Sequence, residues 1–421
     1  MALSNKFRLK SNLVTLYGDS NESLTSNNFV PLVMGTNKWT CKKQAGRTKK
    51  KAFTTGYLYY RTDSPEMYYS GGKHDKMTYL CDWDATITLK PNTNHPKYYN
   101  MFITQEGDIV CAPIHEGGQR GNPIIYPAGD YENPVAINVP EGVCSWRRNH
   151  GIDMAPDGSY FIFSEYVGVK ATKKDGTKAC VWKVTKPFTD PANWNIVMEQ
   201  ASPGDILHFH GVQYDPIGDY WITYSGDYGT DSKIWISTDA GETWDYQIGE
   251  SEKYRNLQFI FTDYYVYWAP DSGGGTGGGI DSRTLWKCPR DATGLPIFEE
   301  AIALAVLPYG QPIYGSFELL NIPGILFLPR VDLAYQNQIQ QIKVLFWSFE
   351  DESLHEIAHV SRRDILNNTT FGFRCKALAF QPNPCEDKIL ISFDYDANDM
   401  DINGINQYIH AKTLALEVVR A

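Results

Sequence analysis

Residues 208–249 read HFHGVQYDPIGDYWITYSGDYGTDSKIWISTDAGETWDYQIG, and the fold is decided there. Four β-type runs, HFHGVQYD, DYWITYSG, SKIWIST and TWDYQIG, are separated by the turn signals PIG, DYGTD and DAGE. Aromatic and β-branched residues favour a pleated surface, while Pro, Gly and Asp favour the tight reversals between strands. The stretch is therefore expected to form one four-stranded antiparallel sheet.

The same rhythm returns along the chain. YYNMFITQEGDIVCAPIHEGG begins at Tyr98, RNHGIDMAPDGSYFIFSEY at Arg148 and RNLQFIFTDYYVYWAPDS at Arg255. GSFELLNIPGILFLPR begins at Gly315 and FRCKALAFQPNPCEDKILISFDYD at Phe373. Each pairs a strand, a turn and a second strand. Repeated units of this length predict an all-β chain, a single β-propeller domain over 1–421. Counting residues 11–90 as one irregular unit gives seven blades, with six or eight left open. The Gly-rich run 273–279 falls inside a unit, between its second and third strands, and reads as a loop. The most helix-like stretch, near Glu299 to Leu307, is short.

Composition agrees with this class. The 421 residues are 42% apolar and 14% aromatic, with 35 Gly and 23 Pro, a balance that favours sheets and turns over helices. With 49 acidic against 39 basic residues the formal charge is −10, which argues against nucleic acid or an anionic membrane as the main partner. No apolar run nears the ~20 residues of a membrane span, and the start of the sequence lacks the apolar core of a signal peptide. A cytoplasmic protein, or one released or carried on a virion, is expected. The eight cysteines are scattered singly, without the CxxC pairs of a zinc site, and read as mostly free buried thiols.

Ser237, Asp239, Gly241, Thr243 and Trp244 fit the spacing S-x-D-x-G-x-T-W between the third and fourth runs of 208–249. The aspartate can accept backbone N–H bonds inside its own turn, the glycine can take positive φ, and the tryptophan can pack between strands. This resembles the Asp box of sialidase-type (BNR-repeat) β-propellers, where the turn is structural and lies opposite the active face. The wider string HFHGVQYDPIGDYWITYSGD, with FTDYYVYWAPDS in the next unit, looks like propeller polysaccharide lyases and related glycan-cleaving enzymes, among them seven-bladed ulvan-lyase-like and rhamnosyl-glucuronate-cleaving ones. True sialidases are less similar, since their FRIP motif is absent.

Strand polarity turns the repeat into a site argument. If Asp239 marks one face, first strands start and second strands end on the other. First-strand starts supply Arg148, His150, His208, His210, Arg255 and Arg374. Second-strand ends supply Glu165, Tyr224, Asp227, Trp268, Asp271 and Arg330. His208 and His210, two apart on a strand, face one side and can ligate a metal or exchange protons, with His150 and Tyr224 as further acid–base candidates. They can equally line a channel and bond water. The arginines suit bidentate capture of a uronate carboxylate, and Trp268 a sugar ring. Each is also a common structural partner. Glu165 with Asp227 or Asp271 would suit glycoside hydrolysis at the right separation.

The reading that follows is a carbohydrate-active enzyme cleaving an acidic, uronate-containing polysaccharide by β-elimination or hydrolysis. No cofactor is expected, although a divalent metal at the mouth is possible chemistry for a histidine pair. The competing reading is a non-enzymatic glycan-binding or attachment protein, such as a phage tail or receptor-binding component.

Overall fold

The structure is a computed structural model. Between 102 and 359 it describes most residues in full, apart from 114–119, 131–132, 147–149, 168–177, 203–204, 273–278, 320–321, 330–340 and a few strand side chains. Outside that span it describes strand backbone only. Among the described residues there is no α-helix, and no helix is long and apolar enough to cross a membrane.

The chain divides into two compact units, Tyr57–Val306 and Met1–Gly56 with Leu307–Ala421. In the first, five four-stranded antiparallel sheets follow in chain order. Three of them carry the site. One is built from Ile152–Met154, Tyr160–Ser164, Lys178–Thr185 and Trp194–Ala201. The next is built from His208–Asp215, Tyr220–Gly226, Lys233–Ser237 and Asp245–Gly249, with the four strands where the sequence puts them. The third is built from Asn256–Phe261, Tyr265–Pro270, Thr284–Pro289 and Ile302–Val306. The Glu299 to Leu307 stretch is thus mostly the fourth strand of that sheet, preceded by a short 3-10 turn at Phe298–Glu300.

Alternation explains how these sheets stack. Tyr220–Gly226 is buried along its whole length, because neighbours cover both faces. Trp221 points into a cluster with Ile162, Val181, Phe209 and Trp235 of its own and the preceding sheet. Tyr220, Ile222 and Tyr224 point the other way, against Phe259, Val266 and Trp268 of the following sheet. A period of two sends alternate side chains to opposite cores, so one strand joins two interfaces. The outer strands Asp245–Gly249 and Ile302–Val306 are largely exposed or half-buried. A buried ion pair, Arg290 Nη1 to Asp215 Oδ2 at 2.5 Å, joins the second sheet of the three to the third. Gly218 and Gly294 meet beside it: a Cβ on Gly218 would lie 2.6 Å from Gly294 O.

In the second unit one sheet runs Leu13–Leu16, Val30–Met34, Ser353–Ser361, Gln341–Ser348, Gly324–Pro329 and Ile313–Glu318. In the other, Trp39–Thr48 pairs with Leu414–Arg420, which pairs with Ile389–Asp396, and that strand in turn with Arg374–Phe380. This corrects the reading of residues 11–90 as a single unit. Their strands divide among three sheets, and only Tyr57–Leu89 forms a sheet alone. Alternation within a segment reports that it is a strand, not which distant strand it will join.

The turn at 237–244 is built from its own side chains. Asp239 Oδ1 accepts from Glu242 N at 3.1 Å and Thr243 N at 2.9 Å, while Thr243 Oγ1 donates to Oδ2 at 2.6 Å. Ser237 Oγ donates to Asp239 Oδ1 and accepts from Gly241 N. Gly241 has φ 85°, and Trp244 packs onto the core shared with the preceding sheet. These bonds, chiefly those from Thr243, bring the Asp239 carboxyl down to about 2. The same position in the neighbouring sheets also holds an aspartate. Asp190 accepts from Ala192 N, and Asp291 from the backbone N–H groups of Thr293 and Leu295.

Candidate functional site

Register places His208 at one end of its sheet and Asp239 beyond the other. His208 pairs with Gly226, whereas Ser237, at the start of the Asp239 turn, pairs with Trp221 near the opposite end of the same strand. Strand starts, second-strand ends and the segment entering the next sheet meet at the His208 end.

Four of the expected residues converge there. Asp227 follows the second strand with φ 97°, a conformation that non-glycine residues rarely adopt and that clusters at functional sites. Its Oδ2 lies 3.1 Å from His208 Nε2 and its Oδ1 3.2 Å from His210 Nε2. Arg255 Nη2 reaches Oδ1 at 3.4 Å, and its Nη1 lies 3.5 Å from Glu252 Oε2. Both histidines are 0% exposed and Arg255 7%, whereas the Asp227 side chain is 23% exposed and forms the open side of the cluster.

Local sequence explains how the two rings reach one carboxylate. The pairing register slips between Phe209 and Gly211, so His210 is the extra residue of a β-bulge. The first strands beginning at Tyr98, Asn256 and Ile313 carry a register shift near their starts too. Gly226 lacks the Cβ that would sit 2.4 Å from His210 Cε1, so the ring lies against the backbone. Each ring is also fixed from behind. His208 Nδ1 lies 3.1 Å from Val167 O and His210 Nδ1 2.9 Å from Asn256 O. A carbonyl only accepts, so both Nδ1 atoms carry the proton and both Nε2 atoms turn to Asp227. Burial pushes the Asp227 carboxyl up, but the proximity of His208 and His210 prevails, holding it well below the ordinary range.

The other candidates lie apart from this cluster or serve different ends. Glu165 is wholly buried, and its carboxylate takes bonds from Cys144 N, Cys180 N, Trp182 Nε1 and Arg120 Nη2 at 2.7 to 3.1 Å. With every lone-pair direction used inside the protein, it ties Arg120 to two backbone segments and is closed to substrate. Tyr224 is 0% exposed, its hydroxyl 2.7 Å from Leu257 O and 2.9 Å from Gln213 Oε1. Trp268 is likewise buried in the core, donating to Lys253 O at 2.8 Å, so it offers no ring face to a sugar. His150 is buried, and so is Asp271, whose backbone N–H donates to Arg255 O. Arg148, Arg330 and the side chain of Arg374 lie outside the described residues. Among the described residues Arg255 alone represents the expected arginine set.

Sequence reading missed three neighbours. Tyr166 sets its ring 4.0 Å from that of His208, Tyr228 beside Asp227 is 59% exposed, and Asn256 is fully buried, with neither side-chain polar atom hydrogen-bonded to the protein. Tyr228 carried a signal, since it stands in the DYGTD turn at the expected face. In a chain of 27 tyrosines nothing local distinguished Tyr166.

No protein-family model and no curated protein sequence matches this chain. Among solved structures it is similar to a streptogramin B lyase, with TM-score 0.52 and 9% identity over 90% of this chain and 98% of that one. A catalytically inactive histidine-to-alanine variant of virginiamycin B lyase from Staphylococcus aureus with quinupristin gives TM-score 0.52 and 9% identity over 90% and 100%. YCF48 bound to D1 peptide gives 0.50 and 11% over 91% and 96%. These neighbours are β-propellers of different activities, and at such identities the likeness shows fold alone. The chain folds as a β-propeller.

Proposed function

We propose that the protein binds and cleaves an acidic, uronate-containing polysaccharide at the Asp227 centre. The observation that carries this is the convergence of two buried imidazoles and a buried guanidinium on one partly exposed carboxylate held at positive φ. A purely structural propeller gains nothing from placing these charges where burial makes each of them costly. In β-elimination a cation at the site holds the uronate carboxylate and stabilises the charge that develops as the C5 proton leaves. The electrons of that C–H bond form the C4–C5 double bond, and the C4–oxygen bond breaks onto a protonated leaving group. Arg255 suits the carboxylate, and a solvent water polarised by the cluster at the open Asp227 side suits the proton transfer. The exposed ring of Tyr228 supplies the stacking surface expected of Trp268. Support for a glycan as substrate comes from the 237–244 turn and its resemblance to the Asp box. The seven sheets formed by the described strands support a single seven-bladed domain.

The test is incubation of the full chain with a panel of uronate-containing polysaccharides while following the absorbance of the unsaturated product and the appearance of reducing ends. Product formation that falls by roughly 10²–10⁴-fold in His210→Ala supports the reading. Glycan binding without any cleavage would replace it with an attachment function, in which Tyr228→Ala weakens binding. Neither binding nor cleavage across the panel would refute both.

A further inference from the structure

We infer that His208, His210 and Asp227 form a binding site for one divalent transition-metal ion. The inference rests on the reading of this cluster as the reactive centre and names what that centre holds. One ligand atom from each of the three residues falls within 4.8 Å of the other two. The two measured edges, 3.1 and 3.2 Å between imidazole nitrogen and carboxylate oxygen, can be set against a tetrahedral site. With bonds of about 2.0–2.1 Å, neighbouring ligand atoms of such a site stand roughly 3.3 Å apart. The two edges end on different oxygens of the Asp227 carboxylate, and the third, between the imidazole nitrogens, lies within 4.8 Å, so the three side chains draw together around one ion.

Orientation at His208 favours an ion over a proton, while His210 Nε2 meets Asp227 Oδ1 in hydrogen-bonding geometry. His208 Nε2 is fully buried and 3.1 Å from Asp227 Oδ2, yet it is not aligned to form a hydrogen bond there. A proton on Nε2 must lie on the line to its acceptor, whereas a metal ion sits off that line, where the lone-pair directions of several ligands meet. The backbone carbonyls behind both rings complete the argument. Val167 O and Asn256 O hold Nδ1–H and so commit both Nε2 lone pairs to the front, as outer partners of metal-bound histidines commonly do. Without an ion, two lone pairs face an anion, or two fully buried imidazolium rings with centroids 5.3 Å apart must share it.

Ligand chemistry sets the class. Two imidazoles and one carboxylate suit zinc and its first-row neighbours, whereas calcium and magnesium take oxygen ligands. The partly exposed Asp227 marks the side from which a fourth ligand, water or a substrate carboxylate, can enter. That is the open position of a catalytic rather than a structural site.

The experiment uses the full chain, stripped with a chelator and dialysed, then titrated with Zn²⁺ and Mn²⁺ by calorimetry and with Co²⁺ by visible absorption. One ion per chain is expected, with a rise in melting temperature on loading. His208→Ala, His210→Ala and Asp227→Asn should each weaken binding at least 10–100-fold. Asp227→Asn keeps the shape of the side chain, and far-ultraviolet circular dichroism shows that each variant is folded. His355→Ala, at a half-buried histidine of the other unit, should leave the stoichiometry unchanged. A folded wild type that binds no ion, or binding that survives all three site variants, overturns the inference. Glycan cleavage by protein free of ion would overturn it while leaving the polysaccharide reading intact. A bound ion with no glycan cleaved would do the reverse.

Discussion

Replacing Gly241 by Ala tests whether the 237–244 turn is seated in the preceding sheet. At φ 85° an alanine is strained, at a cost of about 1–2 kcal/mol. Its Cβ would lie 2.2 Å from Ile162 Cδ1, well inside contact distance. Cδ1 is the mobile end of its side chain, but Ile162 is 0% exposed and packed in a cluster with Trp221 and Trp235, so moving it disturbs the core. Such crowding typically costs another 1–3 kcal/mol or so, giving about 2–5 kcal/mol for Gly241→Ala. Ile162→Val deletes the clashing methyl and alone costs about 0.5–1.5 kcal/mol. In the double variant the next atom is Cγ1 at 3.5 Å, an ordinary contact. The crowding should vanish while the backbone strain remains, so the pair should cost about 1–3 kcal/mol less than the sum of the singles. Urea unfolding of the wild type, both singles and the double closes the cycle. Costs that add to within about 0.5 kcal/mol would refute the seating of the turn against Ile162.

Arg290→Met should cost about 3–5 kcal/mol in urea unfolding, because Asp215, 0% exposed, is left charged without its partner. Trp268→Ala should destabilise by about 3–5 kcal/mol as a core deletion, without a selective loss of glycan affinity in a binding assay on the folded protein. Asp239 should make its turn pH-dependent. Its folded pKa, about 2, is below its ordinary value of 3.8, so its contribution is fully present above pH 4 and is lost as pH falls through about 2. The difference in melting temperature between wild type and Asp239→Asn should hold steady from pH 7 to 5 and shrink below pH 4.

The sheet around His208 was legible because its information is local. Alternation, turn residues and the Asp239 spacing all fall within 208–249, and strand polarity then brought His208, His210, Asp227 and Arg255 to one end. What the sequence hid is pairing at a distance. Closure of a propeller ring predicts that early and late strands meet, and Trp39–Thr48 does pair with Leu414–Arg420, but no pattern in either segment picks out which strands these are. The same limit explains Glu165. A carboxylate at a strand end has one sequence signature whether it faces solvent or is enclosed, and here Arg120, 45 residues earlier, encloses it. Trp268 and Tyr224 were placed by position along the strand, but which core each enters depends on the neighbouring sheet.

The pairing of Trp39–Thr48 with Leu414–Arg420 also sets an order of events during synthesis. A strand made early has no partner until the residues beyond Leu414 have left the ribosome. At roughly 5–20 residues per second, that wait is on the order of 20 to 80 seconds. Throughout it the early strand carries unpaired N–H and C=O groups, a template for association with other chains on the same messenger. The sheets of Tyr57–Val306 are each made of consecutive strands and can close as they emerge. The residues from Leu414 onward are therefore the ones that shield Trp39–Thr48 from its neighbours, and a chain stalled before Leu414 leaves the polysome with that edge bare.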